Sequence, residues 1–217
     1  KTSNSTGSLG YLRRVSLDPT LFASILGAGG SIAGALAGTA LGYKLSNSKA
    51  EVDVYIDNRV WAYYMPSNFA MYIPITVINE GSHSGTITDF KLILTSPTKQ
   101  KWELFWQDFA EENSHKGEGW GPGRAASPIL VHGKSGTQHY LRFASLGKTS
   151  DELSDVALQT GEYNLEIKAF DRNSKDFISK SYLFNVETEP QETLAARRQN
   201  KEDLGTWWFP IRSSLQK

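Results

Sequence analysis

The amino-acid sequence predicts a mainly β protein, an antiparallel β-sandwich that is preceded by one N-terminal transmembrane helix. Residues 21–43 carry no charge and could cross a membrane as a helix. From Val52 to Val186, short runs of β-forming residues alternate with turn signals, and no long helical pattern interrupts them. Strands that follow one another in this way are typical of an antiparallel sandwich.

Composition narrows the classes of function. The chain has 217 residues, with 23 Lys and Arg against 23 Asp and Glu, and it contains no Cys. A net charge of zero gives no indication of a nucleic-acid partner. The absence of Cys excludes a disulfide framework, thiolate chemistry and zinc sites that use Cys ligands. The length fits one domain with an attached segment.

Changes in composition along the chain divide it into five segments. We predict a polar arm over residues 1–20, a helix over 21–43, a connector over 44–51, the sandwich over 52–187, and a charged, tryptophan-rich tail over 188–217. The arm is rich in Ser, Thr and Gly, which is typical of a flexible segment.

The uncharged segment is long enough to cross a bilayer. As a helix, residues 21–43 would span about 34 Å, against a hydrocarbon core of about 30 Å. Arg13 and Arg14 precede it, and Lys44 and Lys49 follow it, as expected for a membrane span with polar flanks. A buried helix of a soluble protein and a signal peptide remain open as alternatives. Because glycines disfavour a helix exposed to water, we favour the single-pass membrane helix.

The glycines of this segment have a regular spacing. They recur every fourth residue, which places them along one face of a helix, at Gly30, Gly34, Gly38 and Gly42. Such a stripe, a glycine zipper, lets the backbone of another helix approach closely in a bilayer. We therefore expect the helix to pack against its own copy or against a helix of a protein partner.

Alternation of side chains predicts the individual strands. Val52, Val54 and Ile56 alternate with Asp53 and Tyr55, and similar patterns recur later in the chain. The further strands are expected near residues 69–79, 86–95, 129–132, 137–145, 161–170 and 177–186.

The segment Lys101–Glu112 shows strand alternation as far as Trp106 and helical spacing beyond it. We expect a strand that ends at about Trp106 and is followed by a turn or a short helix. Residues 113–127 are expected to form a glycine-rich loop that contains Trp120.

Two segments resemble bacterial immunoglobulin-like domains. The run Tyr72–Leu94 has an Asn-x-Gly turn between two apolar strands, and the run Leu158–Asp171 has the Gly-x-Tyr-x-Leu pattern of the penultimate strand. In that resemblance, Tyr163 takes the place of a tyrosine-corner residue. With its helix, the chain is similar to uncharacterised bacterial membrane-anchored proteins. The resemblance implies an immunoglobulin-like fold and an anchor, but no activity.

The tail ends in a cluster of large aromatic residues. Trp207, Trp208 and Phe209 are adjacent, and Pro210 after them fits an extended segment. They could pack on the edge of the sandwich, insert at the membrane interface, or dock a partner. We name these three residues, with Trp120, as candidates for contact with a partner or with the membrane interface.

No motif for catalysis or for a bound cofactor is found. The four His lack the spacing of metal ligands, and no Gly-x-Ser-x-Gly sequence is present. We therefore predict no enzyme activity, no metal and no cofactor. One alternative is a ligand-binding or hydrolytic domain that uses residues 107–127, where Glu111, Glu112 and Glu118 lie near Trp120.

These observations favour a non-enzymatic, single-pass membrane-anchored module that binds or assembles with a protein partner. The alternative is a structural accessory subunit of a large membrane or particle assembly. The bilayer and a protein are the expected partners, and nucleic acid is not. Two arginines precede the helix and two lysines follow it, so the positive charges on its two sides nearly balance. We expect the arm inside and the sandwich outside the cytoplasm.

Overall fold

The computed structural model describes residues 34–39, 41–43, 49–112, 120–146, 154–172, 176–200 and 203–214. The chain divides into two compact units, residues 1–47 and 48–217, which are taken separately below.

In the first unit, residues 34–39 and 41–43 are helical, and their side chains are exposed. Residues 21–33 and residue 40 of the predicted membrane helix lie outside the described residues, and so does Gly30. Across the described parts of the chain, no helix combines the length and the apolar character that a membrane span requires. The transmembrane helix therefore stays a prediction.

The second unit is built almost entirely of strands, with one helix near its C-terminus among the described residues. The strands are β1 (Val52–Ile56), β2 (Arg59–Tyr64), β3 (Phe69–Asn79), β4 (Gly85–Ile87), β5 (Asp89–Thr95), β6 (Lys101–Glu112), β7 (Trp120–Ala125), β8 (Ile129–Val131), β9 (Ser135–Ser145), β10 (Gly161–Phe170), β11 (Asp176–Val186), β12 (Trp207–Pro210) and β13 (Arg212–Ser213), and the helix is α1 (Thr188–Gln199).

One large antiparallel sheet contains most of these strands. Its order is β12-β2-β3-β9-β6-β5-β10-β11-β13, with β1 also paired to β3 and β7 also paired to β6. β4 and β8 form a separate pair. The first and last strands of the order, β12 and β13, are joined in the chain by Ile211 alone. The sheet therefore nearly closes on itself, and the prediction of a mainly β, antiparallel fold is confirmed.

Residues 207–213, which we call the closing segment, join the two ends of the sheet. Strand β12 pairs with β2, and β13 pairs with β11. Alternation sends Phe209 inwards, where it is 1% exposed and its ring centroid lies 5.1 Å from that of Phe184. Trp207 and Ile211 also pack against the core, while Trp208 points outwards and is 54% exposed.

Strands β1 and β2 act as one bent strand along β3. Ile56 lies opposite Ile75, and Trp61 lies opposite Tyr72, so five steps along β1 and β2 match three steps along β3. The two extra residues produce a bend near Asn58, whose carbonyl accepts the Ile211 N–H at 2.9 Å. The bend directs β2 to the closing segment and β1 away from it.

The core fills the interior of the curved sheet. Side chains that alternate along each strand point inwards, and a separate pair of strands, β4 and β8, adds apolar residues to it. Completely buried members include Val54, Phe69, Ile73, Ile75, Leu92, Leu94, Leu104, Leu141, Phe143, Tyr163, Leu165, Ile167 and, from helix α1, Leu194.

Asn79, at the end of β3, fixes three segments with one buried side chain. Its amide oxygen accepts the N–H groups of Glu51 and Gly81, both at 3.0 Å. Its amide nitrogen donates to the carbonyls of His83 at 2.7 Å and Val131 at 3.1 Å. Asn79 is 1% exposed, and removing its side chain would leave four backbone groups without this partner, two of them in fully buried bonds.

The structure corrects the prediction for the middle of the chain. Strand β6 continues through Trp106 to Glu112, and residues 120–125 of the predicted loop form β7; residues 113–119 lie outside the described part. The register of β6 against β9 shifts between Trp106 and Asp108. This bulge places Trp106 and Phe109 on the same face, which explains the spacing that suggested a helix.

Replacing Asn79 with Ala should lower the free energy of unfolding by about 3 kcal/mol, because four backbone groups, buried or part-buried, lose their partner. Urea unfolding measures the change. Asn185→Ala is the control, since Asn185 is exposed and its loss should cost less than about 0.5 kcal/mol. Equal effects of the two variants would contradict the role of Asn79.

Phe209→Ala should lower the free energy of unfolding by about 3–5 kcal/mol, because it leaves a cavity where the closing segment meets the core. The neighbouring Trp208→Ala should cost about 1 kcal/mol or less, since its indole is exposed. Thermal and urea unfolding of both variants test this difference. A larger loss of stability for Trp208→Ala would contradict the assignment of Phe209 to the core and of Trp208 to the surface.

Candidate functional site

A row of five side chains crosses the outer face of the sheet. In the register of the strands, Trp208 lies opposite Trp61, Trp61 opposite Tyr72, and Tyr72 opposite Arg142. Arg142 in turn lies opposite Asp108. Residues directly opposite one another share a face of the sheet. These five residues, one each from β12, β2, β3, β9 and β6, are called the outer row.

The outer row faces away from the core because its members alternate with core residues. On β2, Val60 and Ala62 point inwards on either side of Trp61. On β9, Leu141 and Phe143 do so on either side of Arg142. The period of two in a strand therefore places the row on the opposite face.

Other aromatic side chains pack around the row and form a second apolar cluster on this face. The rings of Tyr63 and Tyr72 stack with centroids 5.1 Å apart and planes 8° apart, and the Tyr63 hydroxyl donates to that of Tyr72 at 3.3 Å. The ring centroids of Trp61 and Tyr140 lie 6.2 Å apart. Both tyrosines of the stack are almost completely buried, so the inner part of the cluster is rigid.

Asp108 and Arg142 form an ion pair at the inner end of the row. The Arg142 Nε donates to the two carboxylate oxygens of Asp108 at 3.1 and 2.9 Å, and its Nη2 also donates to Oδ2. The side chains are 14% and 8% exposed for Arg142 and Asp108, respectively. The remaining nitrogen, Nη1, lies 3.3 Å from the Met65 sulfur. The bulge in β6 aims Asp108 at this position.

Electrostatics keep the inner end of the row neutral overall. Hydrogen bonding to Asp108 raises the pKa of the Arg142 guanidinium above its usual range. Burial raises the pKa of the Tyr72 hydroxyl. At neutral pH the Tyr72 phenol is therefore un-ionised, and it lies near one compensated ion pair.

The outer end of the row is open to solvent. Trp208 is 54% exposed, and the Arg59 guanidinium lies 6.0 Å from the centre of its ring. Trp61 and Tyr140 are half-buried. The row thus combines a rigid, buried end with an accessible aromatic end that carries a positive charge beside it.

The structure separates the aromatic residues singled out in the tail. Trp208 is exposed and belongs to the outer row, whereas Trp207 packs partly against the core. Phe209 is 1% exposed, so its prediction as a contact residue is wrong: strand alternation turns its ring into the core. Trp120 begins β7, and its side chain lies outside the described part.

The structure describes three of the four glycines of the predicted glycine stripe. Gly34, Gly38 and Gly42 lie in helical residues, and a Cβ atom placed on any of them would meet nothing within 4 Å. Their face is therefore open in this unit. Gly30 lies outside the described residues.

Sequence reasoning missed most of the outer row. Trp61, Tyr72, Asp108 and Arg142 were not singled out, although Trp61, Tyr63 and Met65 alternate with apolar residues in a way that indicates a second face. The Asp108–Arg142 pair joins residues 34 positions apart, and nothing in the local pattern reveals it.

The histidines and acidic residues form no metal site in the residues that the structure describes. His139 packs with its ring 5.2 Å from that of Phe109, and burial, followed by the charge of Arg124, lowers its pKa. Glu118 lies outside the described residues, so the carboxylate grouping suggested for residues 107–127 stays a prediction.

Arg142→Met should lower the free energy of unfolding by about 3–5 kcal/mol, because it leaves the Asp108 carboxylate buried without its partner. The double variant Arg142→Met with Asp108→Leu should recover most of this loss. A double-mutant cycle measured by urea unfolding tests the coupling. Additive effects of the two substitutions would show that the pair does not act as a unit.

Comparison with known proteins shows weak structural likeness to bacterial proteins. No family model matches the chain, and no curated protein matches it in sequence. A protein assigned as ApaA from Bordetella pertussis aligns with a TM-score of 0.33 and 10% identity, over 75% of this chain and 95% of that one. A protein assigned as the lipoprotein ycdA from Bacillus subtilis subsp. subtilis str. 168 aligns with a TM-score of 0.35 and 13% identity, over 69% of this chain and 41% of that one. The FixG-related protein from Vibrio parahaemolyticus aligns with a TM-score of 0.31 and 10% identity, over 64% of this chain and 96% of that one.

Proposed function

We propose that this chain is a non-enzymatic binding or assembly module, anchored by a single-pass membrane helix and presenting an immunoglobulin-like domain to a protein partner. The observation that carries the proposal is the outer row, which ends in the exposed Trp208 beside Arg59. In this proposal the domain lies outside the cytoplasm, on the side of the membrane opposite the N-terminal arm.

The composition of the outer row supports a protein as its partner. Four of its five members are Trp, Tyr or Arg, residue types that are enriched at protein interfaces and at the positions that contribute most to binding. The row is also held in place before binding, because the Asp108–Arg142 pair and the Tyr63–Tyr72 stack fix its inner end. A surface that is already ordered loses less conformational entropy when it binds.

The contacts of Tyr163 support the immunoglobulin-like assignment. Tyr163 is completely buried, and its hydroxyl accepts the Gln159 N–H at 2.8 Å. A tyrosine that bonds in this way to the backbone a few residues earlier is the tyrosine corner of immunoglobulin-like sandwiches.

The glycine face supports helix packing as the means of anchoring and association. Gly34, Gly38 and Gly42 repeat every fourth residue, and nothing fills the space where their side chains would be. In a bilayer, a face of this kind allows the close approach of a second helix, from another copy or from the partner.

Gly34→Leu combined with Gly38→Leu should abolish association of the full chain in mild detergent, because the added side chains fill the glycine face. Native gel electrophoresis and cross-linking measure the association. Ala35→Leu combined with Thr39→Leu adds similar bulk to a different helix face and should leave it unchanged. Migration of the glycine variant as the wild type would contradict helix packing.

The partner surface is tested by a photoreactive phenylalanine analogue introduced at Trp208 in intact cells. We expect one discrete cross-linked product from position 208 and none from the exposed control position Lys101. The same product should weaken when Arg59 is replaced by Ala, since Arg59 lies beside the indole. Equal cross-linking from both positions, or none from 208, would contradict a partner at the outer row.

A further inference from the structure

The chain has two methionines, and their surroundings differ. Met71 lies in β3, where its side chain is completely buried in the core. Met65 begins the turn between β2 and β3, and its side chain is half-buried against the second apolar cluster. The Met65 N–H donates to the Asn68 carbonyl at 2.8 Å across this turn, and Pro66 within it is exposed. Met65 is therefore the methionine at the surface of the domain.

The sulfur of Met65 faces a charged hydrogen-bond donor. The Arg142 Nη1 donates to this sulfur at 3.3 Å, whereas Nε and Nη2 donate to the carboxylate of Asp108. A thioether sulfur is only a weak acceptor. Since the Arg142 side chain is 14% exposed, a weakly satisfied donor costs more here than it would at the open surface. A stronger acceptor at the position of the sulfur would bond Nη1 better.

Oxidation of the sulfur supplies such an acceptor. Hydrogen peroxide transfers one oxygen atom to a thioether: the S–O bond forms, the O–O bond of the peroxide breaks, and water leaves. The sulfur is oxidised and the peroxide is reduced in the same step, so no further reactant is needed. The product is a sulfoxide, in which a polar oxygen has been added to an apolar side chain.

The flexibility of methionine lets the new oxygen reach Arg142. A Met side chain has three rotatable bonds and adapts to irregular spaces. Met65 can turn towards solvent, react there, and return with its oxygen facing Nη1. Met71 is 0% exposed, and close packing of the core prevents the same movement.

We propose that Met65 is a site of oxidation by peroxide, and that Nη1 of Arg142 holds the sulfoxide that forms. A sulfoxide ordinarily weakens an apolar cluster, because its oxygen is buried without a partner. At Met65 the partner is already in position. Oxidation therefore leaves the Asp108–Arg142 pair and the outer row intact.

Hydrogen peroxide added to the full chain in detergent tests the site. Because the chain contains no Cys, the two methionines are the side chains most open to this oxidant. Chymotryptic digestion, which cuts at Phe69 between them, and mass spectrometry should show Met65 oxidised about tenfold or more faster than Met71. In urea the two rates should be equal. Equal rates in the folded chain would overturn the assignment of the site.

Two substitutions separate the hydrogen bond from packing. Met65→Gln offers an amide oxygen to Nη1 in place of the sulfoxide oxygen, whereas Met65→Leu offers no acceptor. In urea unfolding, the oxidised chain and Met65→Gln should have midpoints no lower than that of the unmodified chain, and Met65→Leu should have a lower one. A lower midpoint for the oxidised chain than for the unmodified chain would overturn the proposal.

The donor is identified in a chain that lacks the guanidinium. In the double variant Arg142→Met with Asp108→Leu, Met65→Gln places its amide in the cluster without a charged donor. There it should unfold at a lower midpoint than Met65→Leu, which reverses their order in the wild-type chain. The same order in both chains would show that Arg142 is not the donor and would overturn the proposal. If the double variant does not fold, the oxidised and unmodified wild-type chains decide the question.

Discussion

Burial of Phe209 is the constraint on which the closed sheet depends. Strands β12 and β13 lie at opposite ends of the sheet order, yet Ile211 alone separates them in the chain. They can reach both ends only if the sheet curves until β2 and β11 come close. Phe209 fixes that curvature, because its ring packs against Phe184 of β11 while its backbone pairs with Val60 of β2. The curved sheet then encloses the core.

The same short strand links stability to the proposed function. Alternation in β12 turns Phe209 inwards and therefore turns Trp208 outwards, directly opposite Trp61. From there the outer row continues to Asp108, which the bulge in β6 brings opposite Arg142. A bend between β1 and β2 and a bulge in β6 are thus the two irregularities that shape the surface.

The sequence predicted the mainly β class and several strands, because alternation in β1, β5 and β10 is a local property. It did not predict β2 or the full length of β6, since the bend and the bulge interrupt the period of two. The sequence did not predict the outer row, for a different reason. Its members become neighbours only through strand register, and the register depends on tertiary packing.

Removal of residues 207–217 tests sheet closure most directly. The account predicts that a chain ending at Thr206 loses cooperative thermal unfolding, because the edges of β2 and β11 lose their partners and the core loses Phe209. Amide exchange in both strands should accelerate together. A truncated chain that unfolds cooperatively, with the midpoint and exchange rates of the full chain, would contradict the claim that this segment closes the sheet.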